Sequence, residues 1–187
     1  MNQEIKNHVR VKSNIYKLAQ MAVMTAVICV LAPMAIPIGP VPISFTNLAI
    51  LLALYILGTK MGTISFLCYL VLGTVGLPVF SGFTGGLGKL LGPTGGYLIG
   101  FIPLAIISGL SIEKLHNKFA QFLGMVAGVV VCYAFGTAWF CYLAGTGLQK
   151  ALALCVIPFI PGDIAKILIA MVVGPVLVRA LEKSQLI

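Results

Sequence analysis

The chain has 187 residues, of which 60% are hydrophobic and only 9% are charged, and it carries a formal net charge of +8. Soluble globular proteins are about 25% charged, so this composition indicates an integral membrane protein. The length suits a single domain, 1–187, with five or six membrane crossings of about 20 residues each. The basic residues flank the apolar runs and form no soluble basic face, which argues against a nucleic-acid partner.

Apolar runs bounded by glycine, proline and charge predict six helices, at about 16–36, 46–58, 61–76, 95–112, 119–144 and 162–182. The expected fold is therefore an all-α polytopic membrane protein with six transmembrane helices. The second and third runs are separated only by residues 58–60, and the second run is short. Five crossings and a re-entrant segment are therefore the alternative.

Lysine and arginine are concentrated in alternate connections, and in membrane proteins the cytoplasmic connections carry the excess of positive charge. With the N-terminus inside, six crossings leave only Lys89 and Lys150 in outer connections, and Lys166 at the outer end of the last helix. The cytoplasmic side then holds Lys6, Arg10, Lys12, Lys17, Lys60, Lys114, Lys118, Arg179 and Lys183. This asymmetry predicts a multi-pass protein of the cell membrane, surrounded by lipid, with both termini in the cytoplasm.

Three predicted outer connections are rich in turn residues and lie at 37–47, 76–96 and 145–162. Irregular backbone at membrane depth is tolerated where it lines a cavity, so these connections predict a ligand cavity covered by a glycine-rich outer loop. In the second connection, Gly86, Gly88 and Gly92 would let the backbone approach a small ligand and expose N–H donors to it. The alternative is a flexible loop that binds nothing.

Asp163 is the only aspartate of the chain and lies three residues before Lys166, at the start of the last apolar run. That spacing places both side chains on one face of a helix. An ionisable group at the bilayer centre costs roughly 2.5–3.5 kcal/mol on insertion scales, so the pair is a candidate ligand site. Asn47, at the end of the first outer connection, adds a donor and an acceptor. Helix capping is the alternative for both Asp163 and Asn47.

Aromatic residues near the predicted outer ends of the helices are candidate walls for this site. Tyr97 follows two glycines at the start of the fourth helix, whose N–H groups favour an anionic or carbonyl group. Trp139 and Tyr142 are three residues apart and share a face of the fifth helix, so these two could wall a pocket; Tyr133 and Phe135 lie earlier on the same helix. For these aromatic residues the alternative is an interfacial belt that anchors the helices in the membrane.

Several motifs for catalysis and energy coupling are missing. A phosphate-binding loop needs G-x-x-x-x-G-K-[ST], but Gly88-Lys89 is followed by Leu90, and Phe83 stands where the first glycine should be. The chain contains no G-x-S-x-G, no H-E-x-x-H and no paired acidic residues within its apolar runs. We therefore expect no catalytic residues, no metal and no cofactor. Such a chain can bind a ligand but carries no energy source of its own.

Small residues form a stripe on the first helix, where Ala22 and Ala26 are four apart and Ala19 extends the stripe backward. Another helix can pack closely on such a stripe. The same spacing recurs in Gly-x-x-x-Gly pairs elsewhere in the chain, so internal packing is the alternative.

Four segments of the chain can be compared with known families. They are Gly39-Pro-Val-Pro-Ile-Ser-Phe-Thr-Asn47, then Gly73-Thr-Val-Gly-Leu-Pro-Val-Phe-Ser-Gly82 with Gly85-Gly-Leu-Gly88, then Leu91-Gly-Pro-Thr-Gly-Gly-Tyr97, and finally Pro161-Gly-Asp-Ile-Ala-Lys166. Together they resemble the BioY family, the biotin-specific S-components of energy-coupling factor (ECF) transporters. Each segment alone is weak, but four in order over nearly the whole chain are specific.

The resemblance implies a six-helix membrane subunit that binds biotin from outside, beneath its outer loops. It also implies partners, namely a transmembrane coupling subunit and two cytoplasmic ATPase subunits, which would supply energy. The family docks on its coupling subunit through a small-residue stripe of the first helix, and the matching positions here are Ala22 and Ala26.

For the site, the resemblance implies that Asp163 and Asn47 bind the ureido group of biotin. Lys166 would then either meet the biotin carboxylate or orient Asp163. The glycines between 85 and 92 would close over the ligand. The apolar walls would come from Phe83, Tyr97, Trp139 and Tyr142. Two alternatives are an S-component for another vitamin and, from a different class, a membrane enzyme on a lipid substrate, for which the expected acidic residues are missing.

Overall fold

The described part of the chain is predominantly helical, which confirms the predicted all-α class. A computed structural model describes residues 2–37 and 41–184, with side chains from residue 15 onward. Predictions made for Gly39, for the Lys6, Arg10 and Lys12 side chains and for the two chain ends lie outside the described residues. The helices are α1 (Asn2–Leu31), α2 (Thr46–Val75), α3 (Leu87–Leu91), α4 (Gly95–Lys114), α5 (Lys118–Ala144), α6 (Leu148–Cys155) and α7 (Ile160–Lys183). A 3-10 turn, Ile157–Phe159, leads into α7, and two short strands, β1 (Ala35–Ile36) and β2 (Ile43–Ser44), pair antiparallel.

Within the described part of the chain, four helical segments are long and apolar enough to cross a membrane. They are Thr46–Val75, Gly95–Lys114, Lys118–Ala144 and Leu148–Lys183. A shorter apolar helix, Ile15–Leu31, forms the second half of α1. These segments give the chain the architecture of a multi-pass membrane protein.

The second and third predicted helices are the two arms of α2, 46–57 and 59–75, which meet at Gly58. Gly58 has φ +77° and ψ 176°, a conformation that is essentially restricted to glycine. The two arms fold back on each other. This is seen at Gly62, where a Cβ atom would lie only 3.2 Å from the Ala53 carbonyl group. In one straight helix, two residues nine positions apart would be separated by about 13 Å. The segment therefore contains two antiparallel helices joined by a single reversed residue.

Glu113, in the last turn of α4, fixes this reversal. Its Oε1 atom accepts a hydrogen bond from the backbone N–H of Thr59 at 2.6 Å, which satisfies a donor at the start of the second arm. The same oxygen would lie 2.7 Å from a Cβ atom on Gly58. The backbone conformation therefore requires glycine at this position, and the Glu113 carboxylate would have to move to admit a Cβ atom.

Two sequence-based boundaries are wrong. The first helix does not reach residue 36, because α1 ends at Leu31, just before Pro33, whose ring and missing N–H interrupt a helix. Ala35 instead pairs with Ser44 in the β1–β2 hairpin. The third connection, 145–162, is not irregular but mostly helical. Its centre forms α6, since Leu148–Cys155 is composed largely of strong helix formers.

Small residues bring α4 and α5 into close contact. A Cβ atom on Gly100 would lie 3.0 Å from the Cys132 carbonyl oxygen, and one on Gly128 would lie 3.1 Å from that of Leu104. Neither position leaves room for a larger side chain, so these glycines set the distance between the two helices. Internal packing is thus the role of these two glycines.

The first helix packs on the second arm of α2 and leaves its small-residue stripe uncovered. Thr25 Oγ1 donates a hydrogen bond to the Ser65 carbonyl group at 3.2 Å, and Ile28 is fully buried beside it. Ala22 and Ala26 lie on the other face of α1 and are exposed. Unlike the glycines between α4 and α5, this stripe has no internal packing role among the described residues.

Candidate functional site

A carboxylate in the first turn of α7 is bound by side chains from three helices. Asn47 Nδ2, on α2, donates to Asp163 Oδ1 at 2.8 Å, and Lys166 Nζ, on α7 itself, donates to the same oxygen at 3.0 Å. The Tyr133 hydroxyl, on α5, donates to Asp163 Oδ2 at 2.5 Å. We call Asp163, Lys166, Asn47 and Tyr133 the charged cluster.

Neither Asp163 nor Asn47 occupies an N-cap position, so the N-cap alternative is wrong for both. The N-cap residues of α7 and α2 are Phe159 and Phe45, and neither of their side chains makes a capping bond. Asn47 Oδ1 does accept a hydrogen bond from the N–H of Leu48 at 2.9 Å in the first turn of α2. Asp163 instead directs both oxygens to side chains of the cluster. Its position in the first turn still benefits from the positive end of the α7 dipole, which favours a carboxylate.

Three of the four residues of the charged cluster are buried, and Tyr133 is partly exposed. The exposed fractions of Asp163, Lys166 and Asn47 are 8%, 7% and 4%. Lys166 Nζ makes a second bond, to the Ser44 carbonyl oxygen at 2.7 Å, which ties the first connection to α7. A buried ion pair gives little net stability, because the desolvation of both charges offsets their attraction. Retaining two buried charges in an apolar protein therefore points to a function other than stability.

The charged cluster forms one wall of a cavity. The cavity is partly open to solvent. Its apolar lining consists of Val41, Pro42, Leu98, Phe101, Leu104, Val129 and Phe159, and its further polar or weakly polar lining of Ser44, Thr46, Ser81, Thr94, Tyr97 and Cys132. A mostly apolar cavity with a few placed polar groups is typical of a small-molecule site.

The cluster keeps hydrogen-bonding capacity after its own bonds are made. An ammonium group has three N–H donors, and two of those on Lys166 are used. A carboxylate has about four acceptor positions, and three of those on Asp163 are used. The cluster can therefore accept a hydrogen bond from a ligand and donate one to it. Among the described residues, no group of three His, Cys, Asp or Glu side chains could hold a metal ion.

Comparison with known proteins assigns this chain to a family. The family model described as the BioY family matches residues 2–183. The chain belongs to the BioY family. It is 39% identical over 159 residues to the biotin transporter BioY of Thermotoga maritima, covering 84% of this chain and 93% of that protein. It is likewise 39% identical over 153 residues to the probable biotin transporter BioY of Pyrococcus horikoshii, covering 82% of this chain and 90% of that protein.

A solved structure extends the similarity to three dimensions. The S-component for biotin from an ECF-type ABC transporter matches this BioY-family chain with a TM-score of 0.81 and 35% sequence identity. The match covers 92% of this chain and 93% of the solved one. The two proteins therefore share their fold over almost their whole length.

Four of the ten predicted ligand-binding residues of this BioY-family chain line the cavity, namely Asp163, Lys166, Asn47 and Tyr97. The Tyr97 hydroxyl donates to the Cys155 carbonyl group at 3.0 Å, so the ring rather than the hydroxyl is left for a ligand. The cavity lining does not include Phe83, Gly86, Gly88, Gly92, Trp139 and Tyr142. Of these, Phe83 and Tyr142 have exposed fractions of 69% and 82%. The ligand roles of all ten residues stay predictions.

The glycine-rich second connection is fastened to the helices by its own backbone. Gly86, at φ +90°, donates its N–H to the Gly73 carbonyl group, in the last turn of α2, at 2.7 Å. The Trp139 indole N–H donates to the Gly92 carbonyl group at 2.9 Å. Gly82 donates to the Pro33 carbonyl group at 2.9 Å, which joins the second connection to the first. Several residues predicted to touch a ligand thus hold the loop beside the cavity in this structure.

Tyr133 and Thr94 are site residues that sequence reasoning did not select. Tyr133 is noticeable as a tyrosine in the middle of an apolar helix, but its partner Asp163 is 30 residues away and cannot be deduced from the local pattern. Thr94 lies in the segment 91–97, in which the glycines drew the attention. That its hydroxyl group lacks a hydrogen-bond partner among the described residues can be recognised only in the folded structure.

Proposed function

We propose that this chain binds biotin in the cavity beside the charged cluster, as the substrate-binding subunit of an ECF-type biotin transporter. The observation that carries the proposal is a buried carboxylate with three side-chain donors in the wall of a mostly apolar cavity. The relatives named as biotin transporters and the solved S-component for biotin support this choice of ligand. On this proposal the chain binds and delivers its ligand without catalysing a reaction.

The chemistry of biotin suits the groups in the cavity. Its ureido ring has two N–H donors and one carbonyl acceptor, its thioether ring is apolar, and its tail ends in a carboxylate. The Asp163 carboxylate accepts a ureido N–H, while the Asn47 amide and the Lys166 ammonium supply donors for the ureido carbonyl group. Because Lys166 is held by both Asp163 and the Ser44 carbonyl group, we assign it to this end of the ligand.

The remaining parts of the proposed site enclose the apolar portion of the ligand. Phe101 and Val129 lie in the cavity lining and are suited to contact the thioether ring, as is the ring of Tyr97. The second connection, with Phe83 and the glycines at 86, 88 and 92, closes over the bound ligand. Trp139 supports that connection from α5 through its bond to the Gly92 carbonyl group, and the Tyr142 ring lies 6.4 Å from the Trp139 ring.

We place the cavity on the outer side of the membrane, with six crossings and both termini in the cytoplasm. Lys60, beside the Gly58 reversal, and Lys114 and Lys118, between α4 and α5, belong to the opposite ends of these helices from Asp163. Positive charge on that side agrees with a cytoplasmic location. The exposed stripe of Ala22 and Ala26 supports docking of α1 on a transmembrane coupling subunit, which two cytoplasmic ATPases would drive.

The proposal is tested by isothermal titration of ligand-depleted protein in detergent with biotin. We expect one-to-one saturation. Asp163→Asn removes the charged acceptor and should weaken binding well over tenfold, since truncating a buried charged partner costs about 2–5 kcal/mol. Lys166→Ala should also weaken binding. Glu182→Gln and Lys150→Ala remove the same charges at exposed positions and should leave the affinity unchanged.

Each other outcome has a definite meaning. An absence of heat and of saturation in folded protein would refute the assignment to biotin. Saturation with a different vitamin, but not with biotin, would identify an S-component of another specificity. Unchanged affinity in Asp163→Asn would remove the carboxylate from the binding site while leaving biotin as the ligand.

A further inference from the structure

Thr94 belongs to the cavity lining, and its hydroxyl group has no hydrogen-bond partner among the described residues. The residue is only 7% exposed. Buried polar side chains nearly always have a partner. Of the buried hydroxyls without one among the described residues, which are those of Thr59, Tyr69, Thr94, Ser108 and Thr146, only that of Thr94 belongs to a residue of the cavity lining. The other buried hydroxyls of the cavity lining have a partner: Thr46 bonds to Ser44 at 2.8 Å, and Tyr97 bonds to the Cys155 carbonyl group.

The location of Thr94 suggests what its partner would be. Thr94 occupies the N-cap position of α4, a helix of 20 residues, but its side chain makes no capping bond. Its carbonyl group accepts from the N–H of Leu98 at 3.2 Å, so the backbone is already part of the helix start. The positive end of the helix dipole and a hydroxyl donor therefore occur together in the cavity wall. Both favour an acceptor that carries negative charge.

We propose that Thr94, at the N-terminus of α4, donates a hydrogen bond to the carboxylate of the bound ligand. This inference rests on the proposed function, in which the ligand is biotin. The ureido carbonyl group lies between the two ureido N–H groups. When Asp163 accepts a hydrogen bond from one of these N–H groups, the ureido carbonyl group therefore also lies beside the charged cluster. The tail carboxylate is then the acceptor left for a donor elsewhere in the cavity. Two of the three Lys166 donors are already used, which leaves Thr94 as the better partner for the carboxylate.

The test compares two ligands that differ only in the group that Thr94 would bind. Biotin and biotinol, in which a primary alcohol replaces the carboxylate, are titrated into wild-type protein, Thr94→Val and Thr94→Ser. Thr94→Val keeps the shape of the side chain and removes the donor. A hydrogen bond to a charged group is strong enough that Thr94→Val should weaken biotin binding about tenfold or more. The same substitution should change biotinol binding less than about threefold, because a neutral acceptor gains much less from the donor.

Two further variants separate ligand binding from structure. Thr94→Ser keeps the hydroxyl and should bind biotin within about threefold of the wild type. Thr74→Val makes the same substitution at a threonine outside the cavity lining. It should change neither the affinity for biotin nor the affinity for biotinol. If Thr94→Val does not elute as a folded, monodisperse protein, Thr94→Ala is titrated with both ligands in its place, with the same expectation.

The outcomes distinguish this inference from the proposed function. Equal weakening of biotin and biotinol by Thr94→Val would show that the hydroxyl acts on the cavity and not on the carboxylate, which overturns the inference. Unchanged biotin affinity would overturn it as well, while the tight binding itself would uphold the proposed function. Wild-type protein that binds neither ligand would overturn both.

Discussion

Removing one charge of the Asp163–Lys166 pair should destabilise the fold, because the remaining buried charge is then left uncompensated. Asp163→Asn leaves the Lys166 ammonium group, which is only 7% exposed, with the Ser44 carbonyl group and a neutral amide. Removing one partner of a buried ion pair typically lowers the free energy of unfolding by about 3–5 kcal/mol. Lys166→Met leaves the carboxylate with two donors, Asn47 and Tyr133. We therefore expect a smaller loss in that variant, of about 1–3 kcal/mol.

The double variant Asp163→Asn/Lys166→Met contains no buried charge in the cluster. Its loss should be smaller than the sum of the two single losses, with a coupling energy of about 1–3 kcal/mol. The free energies can be measured by equilibrium unfolding in mixed micelles of increasing SDS content, followed by the fluorescence of Trp139, the single tryptophan of the chain. Glu182 and Lys183, charged residues at the end of α7, provide a matched control pair, Glu182→Gln/Lys183→Met.

The result that would refute this reasoning is additivity. If the losses of the two single variants sum to that of the double variant within about 0.5 kcal/mol, the two charges do not compensate each other. An Asp163→Asn variant that unfolds at the wild-type SDS content would refute the argument in a different way. It would mean that the ammonium group gains water or another partner when the carboxylate is lost.

Two other predictions concern the helices. Gly58→Ala should lower the free energy of unfolding by about 1–3 kcal/mol in the same assay, because it forces alanine into a conformation reserved for glycine and against the Glu113 carboxylate. Gly147→Ala, at φ −65° with open space around it, should be neutral, and equal losses in the two variants would contradict the role of Gly58. Leucine at both Ala22 and Ala26 should abolish co-purification with the proposed coupling subunit while biotin affinity stays unchanged, because bulky side chains prevent close helix packing. Retained co-purification would rule out this face of α1 as the docking surface.

The helices and the charged pair were the predictable part of the structure. Long apolar runs and charges within them are visible in a sequence because both are unusual. Asp163 and Lys166 lie together because a spacing of three residues decides their proximity within one helix. Asn47 and Asp163 are 116 residues apart in the sequence and come into contact only in the folded bundle. For this pair the sequence predicted a shared side of the membrane but not a direct bond.

The connections were harder to predict. The glycines of the second connection were expected to contact a ligand, yet Gly86 and Gly92 bond to the protein itself. A sequence shows that glycine allows an unusual backbone conformation, but not which acceptor its N–H group finds. The helix α6 was missed for a related reason. Its flanking glycines and prolines suggested a loop, although the residues between them favour a helix.

The hydrogen bonds that fasten the two connections beside the cavity have a consequence for kinetics. Gly82 is joined to the Pro33 carbonyl group and Gly86 to that of Gly73, while Lys166 is joined to that of Ser44 and Trp139 to that of Gly92. Each such bond contributes about 0.5–1.5 kcal/mol net, so releasing all four costs a few kcal/mol without any helix having to repack. A gap of this size corresponds to an open state populated at roughly 0.1–10%. The ligand would then associate at the diffusional encounter rate multiplied by that small fraction. Weakening one of these hydrogen bonds should therefore raise the association rate before it affects the bound state.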